Sequence, residues 1–246
     1  MLMKGSSKSG LVTDKVVVFL GVFFAIAAVL YRGTGVGAAV PGMFMVYSTT
    51  TSAIATSNVS QWRIMNGTWG TASSTSKHGV DMREVVVKSA RFKEEYIFAG
   101  LDSQGFITAQ VYNGIKWTPT TTIERLNTAG DSIYRPFDLE YENDTDRAIL
   151  VTRGGDNADP VYRIWNGSVW SATSTIDIPL TGAPRFIELA SQRFSTSSKI
   201  AMIVIDANAD IFGLEWNGSS WSLLGETRAW DVNGANAAKK VVDVAY

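Results

Sequence analysis

The chain has 246 residues, with 22 basic and 23 acidic side chains, one His and no Cys. The absence of thiols excludes disulfides, thiolate zinc sites and cysteine nucleophiles, and a lone His78 excludes a His-rich metal centre. Near-neutral charge lacks the basic footprint that phosphate contacts need, so no nucleic acid is expected as a partner. Charged residues make up 18% against 46% hydrophobic; that balance, with eight Trp and abundant Ser and Thr, points to an extracellular β-rich protein.

At the N-terminus, Lys4, Lys8 and Lys15 precede an uncharged run over 16–31 that Arg32 closes. As a helix, sixteen residues span roughly 24 Å, short of the roughly 30 Å hydrocarbon core. The run reads as a signal or anchor helix within 1–32, and three forms of it stay open: a cleaved signal peptide, a retained signal-anchor with Arg32 snorkelling, and a pilin-like leader. A buried core helix is the competing reading. The lysines ahead of the run orient the bulk of the chain outside the cytoplasm, so membrane contact is expected through residues 16–31. Residues 33–42 (GTGVGAAVPG) lack the Lys-Ser/Thr of a phosphate loop and read as a Gly-rich linker.

Beyond residue 42 one phrase recurs. It reads M-N-G-T-W at 65–69, Y-N-G-I-K-W at 112–117, W-N-G-S-V-W at 165–170 and W-N-G-S-S-W at 216–221. Each Asn-Gly predicts the tip of a tight hairpin, with both residues at positive φ in a type I′ turn. An apolar run precedes each later copy, at 96–101, 148–151 and 201–205, and alternating strands lie upstream at 83–87, 137–141, 186–189 and 230–232. Four short strands in about 50 residues, joined by short turns and repeated, predict an all-β β-propeller of four-stranded antiparallel blades over 43–246. A β-sandwich is the alternative. The last strands, at 230–232 and 240–245, either complete the first blade in a ring of about four or belong to a propeller that continues past Tyr246; the run reads as mid-blade and favours truncation.

The unit "apolar strand, polar turn, strand, W-N-G-x-x-W", clearest at 201–222, resembles the repeat of fucose-binding propeller lectins and, more distantly, the tachylectin-2 type. The resemblance implies a propeller that binds carbohydrate without catalysis or cofactor. That family uses an Arg in the second strand and a Glu in the third. The corresponding positions here are Thr51, Phe98, Val151 and Met202, and Trp62, Ala109, Tyr162 and Gly213, so no charged pair is present and only the aromatic component carries over. The candidate ligand-binding residues are the pairs around the hairpins: Tyr112 and Trp117, Trp165 and Trp170, Trp216 and Trp221. They offer either stacking platforms for sugar rings or packing between blades.

Two other patterns recur. Glu84, Asp138, Glu188 and Asp231 stand in the first strands, with Arg135, Arg185 and Arg228 three residues before the last three. A pair copied into successive units suggests structural ion pairs that fix blade register. Asp206-x-Asn208-x-Asp210 has alternate oxygens but neither the glycine nor the distal Glu of a calcium loop, so a turn is expected and no metal. Catalytic residues would break the repeat by appearing once, and only Asp144/Asp146 does so, in an ordinary turn; a propeller glycosidase is therefore disfavoured. The sequence points to an exported, surface-displayed, non-catalytic binding or adhesion module with glycans or another surface component as partner. The alternative is a structural subunit of an envelope layer or pilus-like filament.

Overall fold

The computed structural model describes residues 26–30, 43–47, 59–66, 68–78, 81–126, 134–155, 159–194, 196–225 and 242–246. They form four antiparallel sheets, each a meander in chain order. The first contains β1 (Ile26–Leu30), β2 (Met43–Tyr47), β3 (Gln61–Asn66), β4 (Thr68–Trp69) and β5 (Ser73–Ser74), with both β4 and β5 pairing to β3. The second contains β6 (Met82–Ser89), β7 (Tyr96–Asp102), β8 (Phe106–Tyr112) and β9 (Thr121–Arg125). In the third are β10 (Phe137–Tyr141), β11 (Ala148–Arg153), β12 (Pro160–Trp165) and β13 (Ser174–Thr175). The fourth holds β14 (Pro184–Ser191), β15 (Ile200–Asp206), β16 (Ile211–Trp216) and β17 (Trp221–Leu223). Neighbouring first strands contact one another in the order β1, β6, β10, β14, so the four sheets stand side by side as blades.

The apolar runs of the sequence become strands buried on both faces, because a blade has a neighbour on each side. All seven residues of β7 are buried. Ile97, Ala99 and Leu101 pack with Leu139, Ala148 and Leu150 of the third blade, while Tyr96 and Phe98 pack with Phe44 and Val46 of the first. In β11 the alternation repeats: Ala148 and Leu150 join the cluster towards the second blade, and Ile149 and Val151 join Ile187, Met202 and Leu214 of the fourth. The core is thus three inter-blade layers, each built from one parity of two strands.

Turns sort onto two faces. On one, the β6–β7, β10–β11 and β14–β15 turns interlock with the Asn-Gly hairpins: Asp146 accepts from the backbone N–H groups of Arg91 (2.7 Å) and Phe92 (2.9 Å), Arg91 Nη1 donates to the Arg193 carbonyl, and Arg147 Nη2 donates to the Gly218 carbonyl. On the other face the β15–β16 turn meets the segment entering the fourth blade. There Asp206 accepts from the N–H groups of Thr181 and Gly182, and its second oxygen accepts from those of Asn208 and Asp210.

Three expectations are corrected. Ile26–Leu30, expected as helix, is strand β1 and pairs antiparallel with β2; a short apolar run carries no period that separates helix from buried strand. The remainder of the 16–31 run lies outside the described residues, as does the whole 33–42 linker region. The Asn-Gly hairpins are not type I′, since only the glycines take positive φ: +85° at Gly114, +95° at Gly167 and +97° at Gly218. The Asn keeps negative φ because its side-chain oxygen closes the turn, as Asn166 Oδ1 does on the N–H groups of Ser168 and Val169, at 3.0 Å each. Finally, residues 242–245, expected as strand, are irregular, and Tyr246 donates to Glu215; residues 230–232, with Asp231 and Arg228, lie outside the described residues.

Candidate functional site

The repeated phrase places two aromatics opposite each other across the hairpins of the second, third and fourth blades, while the first pairs Met65 with Trp69. Tyr112 bridges to Trp117 and Trp165 to Trp170, while Trp216 pairs with Trp221. Ring centroids are 5.5, 5.6 and 5.6 Å apart in the three pairs. Pairing was legible from the sequence; depth was not. Trp165 and Trp216 are buried, and each donates its indole N–H to a buried carboxylate of the preceding blade. Trp165 Nε1 reaches Glu95 at 3.1 Å, and Trp216 Nε1 reaches Glu142 at 2.6 Å. Their rings serve blade packing, and Trp170 and Trp221 pack half-buried against the same layers.

The remaining pair, Tyr112 and Trp117, is buried in the core as well and borders a groove. Between the first and second blades a cavity of about 330 Å³ is lined by Trp62, Ser74, Thr75, Ser76, Tyr112, Ile115, Lys116 and Trp117. Trp62 of β3 stands 5.1 Å from Tyr112 and 6.2 Å from Trp117, so three rings from two blades form the wall. Trp62 Nε1 is held by the Ser74 carbonyl at 3.2 Å. Gln110 supports the opposite rim by donating to the Ser76 carbonyl and Thr120 Oγ1, at 2.8 Å each. Trp117 Nε1 is buried and has no hydrogen-bond partner among the described residues. Burial first, and the Glu94 carboxylate second, raise the Tyr112 phenol above its ordinary value, so its hydroxyl stays neutral.

The other blade seams differ at the position of Trp62, among others. Trp62 corresponds to Ala109, Tyr162 and Gly213 in successive blades. The groove between third and fourth blades therefore has an aromatic wall again, with Tyr162 lying 5.6 Å from Trp216, and Trp221 Nε1 there is also buried and unpartnered among the described residues. Between second and third blades Ala109 gives Trp165 and Trp170 no facing ring. Aromatic walls thus alternate along the repeat.

The first-strand charges form a structural network that crosses between blades. Arg135 contacts Asp138 at 3.5 Å and Glu188 of the next blade. Asp138 also accepts the Leu189 N–H at 2.8 Å, and Lys88 meets Glu140 at 2.7 Å. Arg185 lies over the Tyr134 ring, 4.6 Å from its centroid. Among the described residues no three His, Cys, Asp or Glu are grouped so as to hold a metal, and no helix is long and apolar enough to cross a membrane. No family model matches the chain, and no curated protein matches its sequence.

Solved structures do match. SapL1 lectin, in complex with alpha methyl fucoside, superposes with a TM-score of 0.54 at 13% identity over 82% of this chain and 62% of its own. AofleA from Arthrobotrys oligospora gives 0.59 at 11% identity, over 87% of this chain and 58% of its own. Aleuria aurantia lectin, described as a six-bladed β-propeller with a novel mode of fucose recognition, gives 0.50 at 12% identity over 86% and 66%. This chain is a β-propeller. The likeness at such identity establishes the fold, and the propeller here spans about three fifths of the length of SapL1 and AofleA.

Proposed function

We propose that this propeller is a non-catalytic carbohydrate-binding protein that seats a sugar in the groove between its first and second blades. The observation that carries this reading is the groove itself: Trp62, Tyr112 and Trp117 converge on about 330 Å³, a volume at the small end of ligand sites. Aromatic faces suit the C–H face of a pyranose, while Ser74, Ser76 and Lys116 on the rim suit its hydroxyls. Two of the sequence-derived residues, Tyr112 and Trp117, lie in this site, and Trp62 completes it. Tyr162 and Trp221 form the second candidate groove, and Ala109 removes the facing ring from the one between. The structural neighbours support the reading through lectins solved with, or described as recognising, fucose.

Export and surface display belong to the same proposal, with glycan-bearing surfaces as partner; because Ile26–Leu30 is built into the first blade as β1, the leader or anchor is proposed for the part of the run ahead of it. Single grooves of this kind bind weakly, and repetition supplies avidity. A glycan array followed by calorimetry on the hit tests it. Trp62→Ala and Trp117→Ala should each abolish detectable binding, and Trp117→Ala, whose ring is buried in the core, should also lower the melting temperature, whereas Trp170→Ala should leave binding intact. Binding unchanged in both groove variants, or no glycan bound at all, overturns the reading.

A further inference from the structure

The four most exposed large apolar residues among those described are Ile115, Phe194, Phe92 and Val169, at 84%, 70%, 61% and 59% of full exposure. All four stand on one face of the propeller. Phe92 tips the β6–β7 turn and Phe194 the β14–β15 turn, while Ile115 and Val169 tip the Asn-Gly hairpins of the second and third blades. The contacts that join these turns are those given above, with Asp146 accepting from the Phe92 backbone and Arg91 donating to the Arg193 carbonyl. On the opposite face, the described turns at 103–105 and 207–210 carry no large apolar side chain at their tips.

Charge is sorted on the same face. Arg91 and Lys93 flank Phe92, Arg193 precedes Phe194, and Lys116 follows Ile115. Of the acids in these turns, Glu95, Glu142 and Asp146 are buried and spend their oxygens on Trp165 and Lys93, on Trp216 and Arg147, and on backbone N–H groups, so Arg193 and Lys116 are cations beside the tips that no described carboxylate pairs. Glu94 and Asp144 remain at the surface. The face therefore presents four apolar tips, three of them (Phe92, Phe194 and Ile115) beside a cation in sequence, on turns held in place from below. A protein partner buries a contiguous patch. Separate aromatic and aliphatic tips with neighbouring Lys and Arg match a bilayer interface instead, where rings sit at headgroup depth and cations meet lipid phosphates.

We propose that this face docks on an anionic lipid surface, with Phe92, Phe194, Ile115 and Val169 entering the headgroup layer. Such docking is separate from the 16–31 run and independent of the carbohydrate reading. It would also turn the Ile115–Lys116 rim of the groove towards the membrane.

The native chain has no Cys, so single thiols report position cleanly. Full-length Phe92→Cys, Phe194→Cys, Ile115→Cys and Asn208→Cys, each labelled with an environment-sensitive fluorophore, are mixed with vesicles of phosphatidylcholine and phosphatidylserine. Probes at 92, 194 and 115 should shift to the blue and lose iodide quenching several-fold, while the probe at 208, on the opposite face, should not change. The double variant Phe194→Ser with Arg193→Glu should weaken the response of the 92 probe to vesicles roughly tenfold at unchanged melting temperature. Equal responses at 92 and 208 would mean that the N-terminal run alone holds the protein on lipid, and would overturn the proposal. Protection of the 92 and 194 probes before vesicles are added would do the same, assigning the face to another protein or a second copy. Absence of any response to lipid would also refute it.

Discussion

Two buried glutamates hold the aromatic repeat in place. Glu95 accepts from Trp165 Nε1 and from the Tyr141 hydroxyl, at 3.1 and 3.0 Å. Glu142 accepts from Trp216 Nε1, from both arms of the Arg147 fork at 2.7 Å, and from Thr145. Each acid sits in the first turn of one blade and fixes the hairpin Trp of the next. Removing charge from such a site leaves its donors buried without an acceptor. Glu142→Gln should therefore lose roughly 3 kcal/mol of stability, read as a lower urea midpoint at unchanged slope. Trp216→Phe, which keeps the packing ring and removes one donor, should lose only about 1–2 kcal/mol. The aromatics were legible in the sequence because the Asn-Gly phrase marks them. The acids were not, because Glu95 immediately precedes β7 while Glu142 immediately follows β10, so the two do the same work from opposite ends of the turn and fall out of register. Of the groove, Tyr112 and Trp117 came from that phrase, while Trp62 was missed, because its third-strand position was read only for the charge it lacks. Its Ser74–Ser76 wall lies on β5 and the stretch after it, where no repeat points.

At the scale of the element, the blade strands followed from hydrophobic pattern. Runs at 96–101 and 148–151 became β7 and β11 because an unbroken apolar stretch this short is a strand covered on both sides. The same logic explains the miss at Ile26–Leu30, where an identical kind of stretch was read as helix from its lysine-flanked setting. Hairpin position was legible and hairpin type was not, since the Asn side chain, not its φ, closes the turn. Positive φ then falls on glycine alone, and its replacement is costly by an amount the surroundings set. A Cβ at Gly218 would lie 2.8 Å from Ser198 Oγ and 3.1 Å from its Cβ, whereas at Gly167 the nearest atom is the end of Lys93, at 3.2 Å. Both Ala variants bear the left-handed strain of about 1–2 kcal/mol. Gly218→Ala should lose measurably more than Gly167→Ala in paired urea titrations, because a lysine tip swings away and a β-carbon on the neighbouring turn does not.

For the whole molecule, blade-to-blade cohesion depends on a strip of charges along the first strands, and its response to pH has a definite sign. Burial alone would lower the Lys88 pKa, but Glu140, then Asp138 and Glu188, outweigh it and raise the ammonium above its ordinary 10.5. The Tyr141 hydroxyl moves the same way: burial first, and the Glu95 carboxylate second, raise it well above 10.0. A group whose folded pKa is raised contributes its stability in full below the unfolded value and loses it as pH climbs towards the folded one. Both contributions are therefore complete at neutrality, and the unfolded chain releases these protons first in alkali. The melting temperature should stay level from about pH 7 to about pH 9.5 and fall above about pH 10, each group adding a slope of about 1.4 kcal/mol per pH unit. Tyr141→Phe should remove one such increment and make the alkaline decline shallower, while Lys88→Met should lower stability at neutral pH by stranding Glu140 and also flatten the decline above about pH 10.5. Melting curves of the three proteins across this range decide the matter. A decline of equal steepness in all three would show that the alkaline transition belongs to other groups and that the strip does not couple the blades through these two protons.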